Sequence, residues 1–303
     1  MVEAERSDWG TAVVERIGVM TEALKDYVMD VNKKVDLERA QDPFTQEGTT
    51  KVFLAEPSGG QVDIIIADNR KDFCFELSNI QHNSNFRFFS GTTGRMHVSF
   101  ARDEFARKAL EIGADWILFY DDDQYIPRKM FQALMRHGDK YDIIVPLIFQ
   151  RVHPYKPVVY TVNYSWTKDE KTGDSVFKGK TEHIMDYPIN HPFEVDAAGT
   201  GVMLVRTEVF KKVPEPWFFS NTSLGEDIWF CLQAKKLGFK ILCDPRIKVG
   251  HLGNPRVITE IEFLMANKKE LEKIRAKEIE VIEESLRNNK EPDPVCGVFD
   301  DTV

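Results

Sequence analysis

Five consecutive apolar residues, Trp116-Ile117-Leu118-Phe119-Tyr120, run straight into three aspartates, Asp121-Asp122-Asp123. An unbroken apolar run of that length has no polar face to give to water. It reads as a strand buried on both faces, the kind that parallel sheets cover with helices. Ile143-Ile144-Val145 is a second run of the same type. Val52-Phe53-Leu54-Ala55 is a third, and it halts at Pro57-Ser58-Gly59-Gly60, which reads as a turn. Phe86 to Phe89, Val202-Met203-Leu204-Val205 and Ile241-Leu242-Cys243 add further strands. Helical spacing separates them. Ile66, Phe73, Leu77 and Ile80 suggest one helix, although Ile64-Ile65-Ile66 reads equally as strand. Ser99 is placed to cap a helix carrying Phe105, Ala109 and Leu110, which Gly113 closes. Met130 to Leu134 and Asp227 to Leu237 are two more, the latter closed by Gly238. Strands alternating with helices predict an open α/β sheet.

A chain of 303 residues with 42% hydrophobic content can build one large domain or two small ones. Its 49 acidic and 40 basic residues leave a net charge of -9, which repels phosphate backbones and argues against broad nucleic-acid binding. The four cysteines form no CxxC pair, so free or buried thiols are expected rather than a zinc site or a disulfide framework. Met1 to Asp8 is charged with no apolar stretch behind it, and no run approaches membrane-spanning length. The expectation is a soluble, cytoplasmic protein. Val13, Val14, Ile17, Met20, Leu24 and Val28 predict an amphipathic helix in residues 1–49, ended at Asp42-Pro43. A long charged helix is expected from Ile258 to Leu286, then a loose tail with Pro292 and Pro294. These terminal helices offer surfaces for a homo-oligomer. Residues 151–195, rich in Tyr, Lys, Asp and His, show only weak strand patterns and suit the wall of a site or a flexible loop.

The acidic triplet carries the first chemistry. In open α/β sheets ligands bind beyond the carboxyl ends of strands, which is where Asp121, Asp122 and Asp123 fall. Adjacent carboxylates repel, so burying their edge requires a compensating cation. Oxygen ligands select Mg²⁺ or Mn²⁺, and such an ion can bridge two phosphates and stabilise a leaving diphosphate. Alone, the triplet reads equally as an acidic turn. Ala197-Ala198-Gly199-Thr200-Gly201 precedes Val202; it permits close backbone approach to a ligand, or is simply a tight turn. Gly225-Glu226-Asp227 opens a helix, where acids complement the macrodipole. The functional alternative makes Asp227 a general base, with Glu226 positioning it or the acceptor. His251, between Gly250 and Leu252, is either a packed histidine or a metal ligand.

Taken in order, these four features resemble the signature of the GT-A glycosyltransferases, most like the family 2-type enzymes. The likeness runs from residue 50 to 256 and includes Gly238-Phe239-Lys240-Ile241, Asp244-Pro245 and Gly250-His251. The resemblance implies a GT-A domain over 50–256, a Rossmann-like mixed sheet with helices on both faces. Residues 1–49 would be an N-terminal helical extension, and 257–303 a C-terminal helix and tail. It also implies roles. Asp121 and Asp123 match the outer acids of Asp-x-Asp: Asp123 would ligate Mn²⁺ or Mg²⁺, and Asp121 would reach the ribose or a metal-bound water. Asp122 takes the variable middle place beside the nucleotide. His251 would complete the metal site. Gly199, Thr200 and Gly201 would lie beside the donor sugar, and Asp227 would be the base of an inverting transfer. Arg102 would point toward the nucleotide, and Ala55, Pro57 and Ser58 would lie at the nucleotide base. The implied partner is a nucleoside-diphosphate-sugar, most often a UDP-sugar. The acceptor is open among sugar, protein, lipid and modified nucleic-acid base.

One departure stands out. Between Gly59 and Arg95 no acid is marked as the usual reader of the nucleotide base; Asp63, Asp68 and Glu76 are undistinguished candidates. Two competing readings remain. Sugar-nucleotide nucleotidyltransferases share carboxylate-held metals, but they carry a basic glycine-rich loop after the first strand. Here Pro57-Ser58-Gly59-Gly60 has no adjacent Lys or Arg. An inactive glycosyltransferase-like binding protein is the other, against which the full set of acids and His251 stands.

Overall fold

A computed structural model of the chain describes residues 48–94, 96–168, 175–220, 224–253 and 257–287. The predicted N-terminal helix, the Asp42-Pro43 step, Cys296 and the proline-containing tail lie outside the described residues.

The apolar runs form the centre of one mixed sheet. Its strands are β1 (Thr50–Ser58), β2 (Phe86–Gly94), β3 (Trp116–Tyr120), β5 (Ile143–Leu147), β8 (Phe193–Glu194), β10 (Val202–Arg206) and β11 (Ile241–Lys248), in the order β2-β1-β3-β10-β5-β11-β8. β1 lies parallel to both β2 and β3, and β11 is parallel to β5. β10 runs antiparallel between β3 and β5, and β8 is antiparallel to β11.

All five side chains of β3 and all five of β5 are buried. Strand side chains alternate between faces, and two cores result. Ile117, Phe119, Met203 and Val205 belong to one, together with Phe105 and Ala109 of α2 (Val98–Glu111), Phe210 of α4 (Thr207–Lys212) and Phe230 of α5 (Glu226–Lys236). Trp116, Leu118, Tyr120, Val202 and Leu204 belong to the other, with Phe73 and Leu77 of α1 (Ile64–Asn83) and Phe131 and Leu134 of α3 (Met130–Met135). The fold is therefore α/β with helices on both faces, as the alternation of elements predicts.

Local chemistry explains the boundaries. Asp63 is the N-cap of α1, its Oδ1 accepting from the Ile65 amide at 2.8 Å, so Ile64-Ile65-Ile66 is helix and not strand. Ser99 does not cap α2. His97 holds that place without a side-chain cap bond, and Ser99 sits one turn position inside with its hydroxyl 2.7 Å from His97 Nδ1. Gly113 and Gly238 follow α2 and α5 at φ 65° and 87°, a backbone region that favours glycine. β1 continues through Pro57 and Ser58, past the predicted stop. There it pairs with β2 alone, beyond its last contact with β3 at Ala55, an edge position that a proline tolerates.

The weakly patterned stretch 151–195 is largely ordered pairing. β6 (Val159–Lys168) and β7 (Ser175–His183) are antiparallel, and β6 also pairs with β9 (Ala197–Ala198). A small sheet joins β4 (Gln124–Tyr125), β12 (Gly250–Leu252) and β13 (Val257–Ile258). The last helix, α6 (Glu260–Arg287), opens with a capping box: Glu262 Oε2 accepts from both the amide and the hydroxyl of Thr259. Phe263, Asn267 and Leu271 are buried, and Asn267 Nδ2 donates to the Pro154 carbonyl at 2.6 Å. The first turns of α6 are thus packed into the same core as the sheet. No described helix is long and apolar enough to cross a membrane.

Candidate active site

The site grows from the carboxyl end of a central strand. Because β10 is antiparallel to β3, its first residue, Val202, pairs with Tyr120, the last of β3. The ladder extends one step further, with the Asp121 amide donating to the Gly201 carbonyl at 2.8 Å. The glycine turn and the acidic triplet therefore meet.

The three aspartates have three different partners. Both Asp121 oxygens accept from Arg102 Nη2, at 2.9 and 3.0 Å, while Arg102 Nη1 donates to Glu226 Oε1 at 2.6 Å. Arg102 is 3% exposed. Its guanidinium lies 5.9 Å from the centroid of Phe218, and the neighbouring Asp103 accepts from the Phe218 amide. One buried cation thus ties the strand-end acid to the head of α5. Burial pushes the Asp121 carboxyl up; Arg102 pulls it down, and Asp123 pushes the other way. Asp122 Oδ2 accepts from the Gly59 amide at 2.8 Å and anchors the turn after β1.

Asp123 faces differently. Gln124 Nε2 donates to its Oδ1 at 3.0 Å, while Oδ2 lies 2.9 Å from Arg151 Nη1 and 3.4 Å from His251 Nε2. Burial works to raise this carboxyl, but the hydrogen bond and charge of His251, together with Arg151, hold it below the usual carboxylate range. His251 arrives on β12, whose register puts it opposite Gln124, and the Leu252 amide donates to the Asp123 carbonyl. Its Nδ1 lies 2.7 Å from the Phe149 carbonyl. A carbonyl only accepts, so Nδ1 carries the proton and Nε2 is the nitrogen turned toward Asp123.

Glu226 and Asp227 open α5, where the helix N-terminus favours negative charge. Burial, reinforced by Glu226, nevertheless pushes the Asp227 carboxyl up to about 6. The glycine turn abuts it: a Cβ on Gly199 would sit 3.6 Å from Asp227 Oδ2 and 3.2 Å from Val158 Cγ2. A Cβ on Gly201 would meet Gln124 Nε2 at 3.1 Å. Neither glycine has a positive φ, so close approach is what requires them. Thr200, between them, is 1% exposed, and among the described residues its hydroxyl has no hydrogen-bond partner; nor does Gln124 Oε1.

The end of β1 differs from expectation in its side chains. Ala55 is wholly buried, and the Ser58 hydroxyl accepts from the Gly60 amide. The polar group there is Glu56, paired with Arg70 of α1; Arg70 Nη2 also donates to the Asp121 carbonyl at 3.2 Å and its guanidinium lies 5.6 Å from the Tyr120 ring centroid. Asp63, Asp68 and Glu76 each have other employment: the α1 cap, an exposed pair with Lys71, and, for the buried Glu76, bonds from Arg128 and Gln132. Sequence reasoning passed over Glu56, Arg70, Gln124 and Arg151. Only Arg151 carried a signal, since it lies just past the carboxyl end of β5. Of the aromatic residues leading into α5, Trp217 and Phe218 are buried packing residues, and Phe219 is 43% exposed beside Trp229. The side chains of Tyr164 and Trp166 lie outside the described residues.

Among the described residues no three His, Cys, Asp or Glu side chains converge as a metal site. The donor chemistry of Asp123 and His251 still fits a divalent ion. A carboxylate oxygen and an imidazole nitrogen with its tautomer fixed from behind face each other, and Mg²⁺-type ions take one or two protein ligands with phosphates and waters completing the shell.

No protein-family model matches the chain, and no curated protein matches it by sequence. Among solved structures, A197 from STIV is 19% identical over 67% of this chain and 85% of its own, with a TM-score of 0.42. GalNAc-T7, solved with UDP, GalNAc and Mn²⁺, is 15% identical with a TM-score of 0.37; this chain covers 43% of it. An apo UDP-glucose pyrophosphorylase is 10% identical over 74% of this chain and 99% of its own, with a TM-score of 0.40. Likenesses this distant define no activity for this chain.

Proposed function

We propose that the protein is a metal-dependent glycosyltransferase, moving a sugar from a nucleoside-diphosphate donor, a UDP-sugar above all, to an acceptor hydroxyl with inversion. The observation that carries this is the facing pair Asp123 and His251, with the His251 tautomer fixed by the Phe149 carbonyl, at a strand end shared with Gly201. When bound there, Mn²⁺ or Mg²⁺ would neutralise the leaving diphosphate.

The chain's own groups supply the rest. Asp123 and His251 hold the ion. Arg102 fixes Asp121 and Glu226 in one frame, which sets the distance between donor and acceptor acids. Gly199 and Gly201 let the sugar approach the backbone. Asp227, raised to about 6, is ionised at neutral pH yet basic enough to take the acceptor's proton.

Nucleotidyl transfer is the weaker reading. It wants free amides and cations in the turn after β1 to cradle a triphosphate, whereas the Gly59 amide is committed to Asp122. Incubation with a panel of UDP-, GDP-, CDP- and dTDP-sugars and Mn²⁺ tests the choice. Release of a nucleoside diphosphate is expected. Release of pyrophosphate from a nucleoside triphosphate and a sugar phosphate, without the first activity, would reject it.

A further inference from the structure

Arg151 stands where a second cation would be useful. It lies on the loop after β5, and the backbone of that loop is fixed: the Gln150 amide donates to the Lys156 carbonyl at 2.9 Å, the Tyr155 amide to the Val152 carbonyl at 2.8 Å, and Asn267 holds the Pro154 carbonyl. The same segment supplies the Phe149 carbonyl that orients His251. The Arg151 side chain itself is 55% exposed, and among the described residues it pairs with Asp123 Oδ2 at 2.9 Å. Asp123 Oδ1 is held by Gln124. Oδ2 is therefore the oxygen left to face His251 Nε2, and it is the one Arg151 takes.

A divalent ion between Asp123 and His251 would draw on that same oxygen. A guanidinium and a divalent cation repel each other, and an exposed ion pair on a flexible side chain gives way at small cost. Arg151 released from Asp123 still pivots on a fixed loop beside the ion, and its planar fork suits phosphate oxygens. We propose that Arg151 is an exchanging cation: it neutralises Asp123 until a divalent ion takes that carboxylate, then turns its guanidinium to the diphosphate. This rests on the metal-dependent reading above, and it adds a phosphate-binding residue to it.

The proposal makes two opposite predictions for one substitution. Arg151→Gln removes a competitor for Asp123, so Mn²⁺ alone, titrated by electron paramagnetic resonance, binds about threefold to tenfold more tightly. The same variant loses a ligand for the anion, so inorganic pyrophosphate at saturating Mg²⁺, followed by calorimetry, binds about tenfold more weakly. Arg151→Lys, which keeps the charge but not the fork, falls between on both. Unchanged or weaker Mn²⁺ binding in Arg151→Gln, or unchanged pyrophosphate binding, overturns the exchange. Asp123→Asn in either background separates the two levels. It abolishes Mn²⁺ binding if the metal reading holds; if wild type binds no Mn²⁺ at all, that reading fails and takes the exchange with it.

Discussion

Arg102 holds both carboxylate oxygens of Asp121, at 2.9 and 3.0 Å, from inside helix α2. The arginine is 3% exposed, so this is a buried ion pair, completed on the other side by Glu226. Breaking such a pair leaves an uncompensated buried charge. Arg102→Ala is expected to destabilise the fold by about 3–5 kcal/mol, read as a shift in urea-denaturation midpoint. A loss under 1 kcal/mol would mean that Arg102 does not bind the frame together.

The neighbouring aspartates separate by assay. Asp123→Ala is expected to abolish metal-dependent binding of a nucleoside diphosphate while the unfolding free energy from urea titration falls by only about 1 kcal/mol, since Arg151 across the pair stays exposed to water. Asp122→Ala frees the Gly59 amide and leaves metal affinity intact. Equal loss of Mn²⁺ binding in both variants would show that the triplet acts as a charge cluster rather than through one residue.

In the proposed transfer Asp227 sets the pH dependence. Its raised carboxyl must be ionised to accept a proton, so kcat/KM should climb with pH through about 6 and level off above it. Asp227→Asn should remove that limb and lower kcat sharply with donor binding kept. The stability sign is opposite to that of a paired acid. A carboxyl raised from 3.8 to about 6 costs the fold stability as pH rises through that window, and the cost persists above it. Asp227→Asn should therefore stabilise the protein at pH 7 by up to about 3 kcal/mol, and not at pH 3.5. Equal midpoints at both pH values would remove the burial argument.

A side chain on Gly250 or Gly225 would force a neighbour to move. A Cβ on Gly250 would lie 2.4 Å from Val257 Cγ1, and one on Gly225 2.9 Å from Asp227 Oδ1. Gly250→Ala should strain the β12–β13 pair beside His251, costing about 1–3 kcal/mol and weakening Mn²⁺ binding. Gly225→Ala should leave Mn²⁺ binding alone and lower kcat by displacing Asp227. If both variants behave alike in the Mn²⁺ titration, the two halves of the site are not independent.

Much of the sheet was readable because buried strands announce themselves: Trp116 to Tyr120 and Ile143 to Val145 have no polar residue to place them elsewhere. The β6–β7 hairpin was not, since its alternation is diluted by Lys168, Lys180, Glu182 and His183, which antiparallel pairing tolerates. Asp121, Asp123, Gly201 and His251 come together near one strand end, as their order along the chain suggested. The sequence does not reveal which acid faces which cation. Arg102 stood out only by resemblance and Arg151 only by its place after β5; tertiary packing alone makes one a buried tie and the other an exposed arm. Glu56 and Arg70 were invisible for the same reason: their pairing spans a strand and a helix.

The reversed direction of β10 has one more consequence. The Asp121–Gly201 hydrogen bond exists only when Val202 sits opposite Tyr120. A slip of one residue between β3 and β10 would turn every β10 side chain to the wrong core and would also part the glycine turn from the acids. The proposed activity is thereby tied to correct strand alignment, so specific activity after refolding would count the molecules whose central strands have found their true partners.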